Sequence, residues 1–370
     1  MTGLMDDVAQ RLTLAGTAVL AVAWLAWPSP DRPETASVPE NMPTVWETWD
    51  AEPVELPGVI DGAAWTPISV LEHPDPDAQA LLGADEAGNL LYVEQPAEGE
   101  AAVEVVAEPG GVPGVVAAAA TEDRLAWLQS VPDAQGRVVS ELWTAERGAD
   151  GRPGEAALLT ADTGDVITAG SAYDLQFAAE GLHWLSTARG DSLVTEHRSI
   201  AVAGGAVEIV GHRGAWQAAA WPWLASAGSD SLGGAQLVRT DTGAGVKVFS
   251  GSDELTLCSA TWCRLIVTGD DGSRVDLARP DGSGRVTVAE GFASAVSPDV
   301  GLIDRFEPLA ESKAATGDGT TVTLFDLEAQ ADYLVASSAG EAGADARCLW
   351  WSTGTGELLV WHVLDLTDLA

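Results

Sequence analysis

Three cysteines, five histidines and 56 carboxylates are the side chains in this 370-residue chain from which chemistry could be built. Cys258 and Cys263 lie in the stretch Leu-Thr-Leu-Cys-Ser-Ala-Thr-Trp-Cys-Arg-Leu-Ile-Val, and Cys348 stands apart. Their spacing is not the Cys-x-x-Cys that activates a redox thiol, and no further ligands lie at zinc-site spacing. A tight turn near Ala260 and Thr261 would set Cys258 opposite Cys263 across a hairpin. Cross-strand Cβ atoms are about 4.5–5.5 Å apart, close to the ~3.8 Å of a disulfide. A disulfide between Cys258 and Cys263 is therefore expected. It closes a short loop, so it adds little global stability. It also implies an oxidising, exported location. Cys348 falls in a tryptophan-rich strand and reads as a buried free thiol.

The other candidates offer less. His73, His183, His197, His212 and His362 are scattered along the chain, and none has another histidine or a cysteine at i+2 to i+4. His183 precedes a tryptophan and reads as a strand residue. Carboxylates are so abundant that no pair can be singled out for acid–base work. The acidic stretches at 75–79, 269–276 and 281–285 lack the terminal Glu of a calcium loop and read as hairpin turns. There is no Gly-x-Ser-x-Gly elbow, no phosphate loop and no dinucleotide fingerprint. No catalytic residue, cofactor or metal is expected.

The elements that must position these residues are strands. Beyond residue 60, short apolar or alternating runs are broken by Asp-Gly, Gly-Asp, Pro-Asp and Thr-Gly turns. They recur as a unit: a small apolar first strand, a polar turn, a second strand opening near a tryptophan, then two more strands. "VVAAAATEDRLAWLQS" (115–130), "YDLQFAAEGLHWLST" (173–187) and "WQAAAWPWLASAG" (216–228) are examples. Trp127, Trp184, Trp223, Trp262 and Trp350 recur as structural blade anchors. Four-stranded units repeating at this period predict an all-β fold, a β-propeller of most plausibly seven blades, in which each sheet buries its faces on its neighbours.

At the N-terminus, Leu12 to Pro30 carries no charge. That is about the ~20 residues a spanning helix needs, with Trp24 and Trp27 at one end and Arg11 at the other. The expected organisation is a cytoplasmic tail (1–11), one transmembrane signal-anchor helix (12–27), a proline-rich extended spacer (28–57) and the propeller (58–370). Trp46, Trp49 and Val45 are expected to touch the folded body. The propeller would then stand on the extracytoplasmic side of the cell membrane.

The apolar run, the proline-rich stretch and the "SATWCRLIV" hairpin together resemble actinobacterial membrane-anchored proteins carrying a TolB-like or WD40-like propeller, a loose class of unknown function. The scarcity of lysine (Lys247 and Lys313 alone) is of a piece with such a source. The Gly-His and Trp-Asp dipeptides of true WD40 repeats are absent. "TADTGDV", "RTDTGAG" and "STGTGELLVW" resemble the turns of quinoprotein-like repeats without implying a quinone.

A net charge of -38 repels phosphate backbones, which excludes nucleic acid as a partner. The function this favours is a non-enzymatic, membrane-anchored module that binds a protein or cell-envelope partner. Two alternatives stand beside it. One is a propeller enzyme of glycosidase or lactonase type, with a carboxylate or metal site in the central channel. The other is a structural component of an envelope complex. No stretch outside the repeats reads as a hydrolase domain, so a protease capped by a propeller is not expected.

Overall fold

The computed structural model describes residues 42–369, apart from 97, 111–113, 180, 228–233, 270–271 and 313–318. Seven antiparallel sheets follow one another along the chain. Blade 1 spans residues 59–107, blade 2 spans 115–160, blade 3 spans 165–213 and blade 4 spans 216–247. Blade 5 spans 254–291, blade 6 spans 293–339, and blade 7 is built from 342–365 together with Val54–Pro57. The seven-bladed all-β propeller expected from the repeats is the fold. The span expected over 12–27 lies outside the described residues; among those described, no helix is long and apolar enough to cross a membrane.

The core lies between blades rather than within them. Leu82 and Tyr92 of blade 1 pack with Leu125 and Trp127 of blade 2. Leu128 and Leu142 of blade 2 pack with Leu182 and Trp184 of blade 3. Clusters of the same kind join blades 4 and 5, 5 and 6, 6 and 7, and 7 and 1. Each strand alternates its side chains between its two faces, so a sheet buried on both sides needs apolar residues at nearly every position. Leu81 and Leu82 illustrate this: they are adjacent and both fully buried, one facing blade 7 and the other blade 2.

The spacer expected over 28–57 ends earlier than its proline content indicated. Val54–Pro57 forms the outer strand of blade 7, pairing Val54 with Val363 and Leu56 with Trp361. The alternation Val-Glu-Leu seats Leu56 in the core, while Pro57 closes an edge strand, a position where a missing N–H is tolerated. Trp361 Nε1 donates to the Trp65 carbonyl at 2.8 Å and Trp65 Nε1 to the Pro57 carbonyl at 2.8 Å, so the last and first blades are stitched together. Upstream, a one-turn helix, Val45–Trp49, is capped reciprocally by Thr44 and Glu47. It buries Val45, sets Trp46 against Trp351, and sets Trp49 against Tyr333 and Phe306.

The blade anchors belong to this packing. Trp127 and Trp184 are buried on the second strands of blades 2 and 3, and Trp350 on that of blade 7. Trp262 is buried in the turn before the second strand of blade 5, with the Arg279 guanidinium 3.8 Å from its ring centre. Trp223 opens the second strand of blade 4 and is only half-buried.

Candidate site in the central channel

Innermost strands of small residues, such as Val115–Ala120, leave an axial channel. The segment between Val166 and Leu175 enters it from blade 3. Ser171 Oγ donates to Asp299 Oδ1, and the Ala172 amide donates to Asp299 Oδ2 at 3.0 Å. Asp299 belongs to blade 6, three places round a ring of seven, so the segment must cross the axis to reach it. On its far side the gap toward blades 4, 5 and 6 shrinks to about 10 Å³. On its near side a cavity of about 840 Å³ remains, walled by blades 1, 2, 3 and 7. The channel is therefore divided rather than open.

The segment holds its shape by converging donors on one carboxylate. Asp174 Oδ2 accepts from the amides of Ala169 and Gly170 at 2.8 Å each and of Ser171 at 3.1 Å. Gly170 turns the chain with φ of 73°, a left-handed conformation that glycine adopts without a Cβ penalty. Three such N–H groups would ordinarily hold a carboxyl well below its usual range. Here burial outweighs them. Asp174 is 4% exposed in the cavity wall, and its pKa is pushed up to about 6. Burial also raises the Asp299 carboxyl, and it pushes Tyr173 up to about 12.

Neighbouring blades brace this arrangement. Asp345 Oδ2 in blade 7 accepts from Ser69 Oγ and the Val70 amide of blade 1, both at 3.1 Å. Arg264 of blade 5 is 2% exposed. It donates to Glu307 Oε1 at 2.6 Å and to the carbonyls of Ser297 at 3.1 Å and Asp299 at 2.7 Å. It thereby fixes the loop that carries Asp299. Glu72, Glu122 and Arg347 also line the cavity, with Arg347 paired to Glu72 at 3.3 Å.

Asp174, Asp299, Asp345 and Ser171 were not singled out in the sequence. Each sits in a short polar run beside a first strand (Ser-Ala-Tyr-Asp, Ser-Pro-Asp, Gly-Ala-Asp) and reads as a turn residue. The disulfide between Cys258 and Cys263 is formed, the two residues pairing directly across the first hairpin of blade 5. Cys258 borders the small gap behind the crossing segment. Cys348 is a buried thiol, and burial pushes its pKa up. The histidines are not all scattered. His183, His197 and His212 lie on three consecutive strands of blade 3, with a nitrogen–nitrogen distance of 3.1 Å between the first two. Among the described residues no group of three or more ligand side chains is placed to hold a metal.

No family model matches the sequence, and no curated protein matches it. Among solved structures, the chain is similar to a puromycin-hydrolyzing peptidase of Mycobacterium tuberculosis. Identity is 14%, over 92% of this chain and 54% of that one, with a TM-score of 0.48. It is similar to the β-propeller domain of the trilobed protease from Pyrococcus furiosus, at 7% identity over 68% and 81% of the two chains and a TM-score of 0.44. It is also similar to the acylaminoacyl peptidase of Pyrococcus horikoshii, at 9% identity over 68% and 44%, with a TM-score of 0.43. Similarity at this level shows the propeller fold alone. The chain spans about half the length of the puromycin-hydrolyzing peptidase. The structures named are peptidases or a protease's propeller domain, and this stands against the expectation that the chain is a non-enzymatic binding module.

Proposed function

We propose that the chain is a hydrolytic propeller enzyme whose small-molecule substrate lies in the channel cavity, with Asp174 as the proton-transfer group. The observation that carries this reading is the Asp174 carboxyl in the cavity wall, its pKa about 6. A group that binds its proton near the working pH can both give and take one during turnover. An ordinary exposed aspartate would be ionised throughout. Tyr173 is adjacent and keeps its proton, so it can donate to a substrate oxygen. The cavity of about 840 Å³ is in the range of small-molecule sites, roughly 300–1,000 Å³.

A purely structural Asp174 would only cap the crossing segment. Asp174→Asn separates the two roles, because the amide oxygen still accepts the N–H groups but the side chain cannot transfer a proton. The test uses the full-length chain against chromogenic glycosides, lactones and aminoacyl anilides. At least one class should be turned over, with an acid limb near pH 6. Asp174→Asn should lower that rate by about 10²–10⁴ with little change in melting temperature. Absence of turnover across the panel, or full activity in Asp174→Asn, overturns the reading.

We further propose that residues 12–27 anchor the chain and that the propeller faces an oxidising compartment. The disulfide supports this. Release of the protein from membranes by alkaline carbonate would refute the anchor.

A further inference from the structure

We propose that the contact between blades 3 and 4 is an acid-sensitive latch that holds the channel segment across the axis. The seven contacts between adjacent blades are not alike. Six are apolar clusters of buried residues among the described positions. Among the described residues, the contact between blades 3 and 4 has no such cluster. It is built instead from His183, His197 and His212 of blade 3, against Trp221 of blade 4. Blade 4 has the shortest strands of the ring, three or four residues each, and so has little other surface to hold it.

The imidazoles form a directed chain. His183 Nε2 lies 3.1 Å from the Ala178 carbonyl, which can only accept, so this nitrogen carries the proton. His183 Nδ1 is then a bare acceptor, and His197 Nε2, 3.1 Å away, must be the donor to it. The two rings are within 5° of parallel, and Trp221 packs on both, at 4.0 and 5.1 Å between centres. His212 lies 6.4 Å from His197, and its buried Nε2 has no hydrogen-bond partner.

This chain works only while the rings are neutral. A proton added to His183 Nδ1 sets two N–H groups against each other. A proton on either remaining ring places a charge with no counter-ion. The strands of blade 3 contribute His183, His197 and His212, and blade 4 contributes Trp221. Among the described residues, no carboxylate, lysine or arginine acts on any of the three rings. Glu196 and Arg198 pair with each other on the opposite face of the sheet, as their alternation with His197 requires. Burial lowers the proton affinity of all three, and the other two rings help depress His197 to about 4.

The latch reaches the channel through Gln176. Its Oε1 accepts from the Trp221 amide at 2.9 Å, and its Nε2 donates to the carbonyls of Tyr173 at 2.9 Å and Ala219 at 3.0 Å. Displacing Trp221 removes a partner of Gln176 and loosens its hold on Tyr173. The segment is then retained on that side by Asp299 alone. Acid should therefore free the segment and join the large cavity to the small gap behind it.

The test is amide hydrogen exchange of the full-length chain at pH 7.5 and pH 5.0, corrected for intrinsic rates. Peptides covering 167–178 and 216–226 should lose at least tenfold protection at the lower pH, while those from blades 1, 6 and 7 keep theirs. In His183→Gln/His197→Gln this pH dependence should vanish. Unchanged protection in the parent overturns the latch, as does a loss spread evenly over all blades or a loss that persists in the double variant. Should that variant not fold, a ring-proton titration of the parent decides. A sharp, two-state titration of His183 and His197 near 6.5, with the segment still protected, overturns the latch. Titration displaced well to acid and accompanied by exposure of the segment upholds it.

Discussion

Replacing Arg264 by leucine isolates the buried pair that fixes the Asp299 loop. The guanidinium is 2% exposed and its partner Glu307 is fully buried. Removing one member of such a pair strands the other, which costs roughly 3–5 kcal/mol. Two bonds to the carbonyls of Ser297 and Asp299 are lost with it. Burial already raises the Glu307 carboxyl against the pull of Arg264. Without the guanidinium it should rise further, so the folded variant would bind a proton that the unfolded chain does not. Folded-state binding above the unfolded value makes stability fall as pH rises. The deficit of Arg264→Leu should therefore be largest above neutrality and shrink toward pH 5. Arg264→Leu/Glu307→Leu removes the stranded charge and should recover to within about 2 kcal/mol of the parent. Urea unfolding followed by tryptophan fluorescence at pH 7.5 and 5.5 measures all three proteins. A single variant within 1 kcal/mol of the parent would refute the reasoning, and so would a double variant no more stable than the single.

Other outcomes follow from the same geometry. Trp127→Ala should cost about 3–5 kcal/mol because the side chain is fully buried between blades 1 and 2, whereas half-buried Trp223→Ala should cost clearly less; equal losses in thermal unfolding would argue against inter-blade burial as the source. Reducing Cys258–Cys263 should lower stability by about 2 kcal/mol or less because the closed loop is short, measured by urea unfolding with and without reductant. Gly170→Ala should cost about 1–2 kcal/mol through its left-handed backbone, since the added Cβ meets open space; a neutral result would mean that the turn relaxes. His197, depressed from 6.5 to about 4 in the folded state, makes the unfolded chain the better proton binder between those values. Stability is therefore intact above pH 6.5 and falls by roughly 3 kcal/mol toward pH 4. His197→Gln should flatten that part of a stability–pH curve.

The blades were readable because strand alternation and turn residues are local signals. "VVAAAA" opens an innermost strand, and Cys258 meets Cys263 where the turn residues placed them. Trp46 and Trp49 do pack on the propeller. What escaped was set by distance along the chain. Ser171 and Asp299 are 128 residues apart and meet only because the ring curves round. Val54–Pro57 was masked by surrounding prolines, and its partner strand lies at the other end of the sequence. Neighbours at i+2 to i+4 come together only on a helix or along a single strand. In an antiparallel sheet the relevant spacing is one hairpin, and His183 and His197 are 14 residues apart.

The closing strand has a consequence for synthesis. Val54–Pro57 is made before any blade, yet the strand it pairs with, Val360–Asp365, follows blades 1 to 6. Until then Leu56 and Trp65 have no cover from blade 7. Any product cut short before Val360 keeps that apolar seam open, whatever the quality of its first six blades. Ring closure thus acts as a check on the completeness of the propeller, because only a ring with its seventh blade in place can hide the surface that chaperones and proteases read.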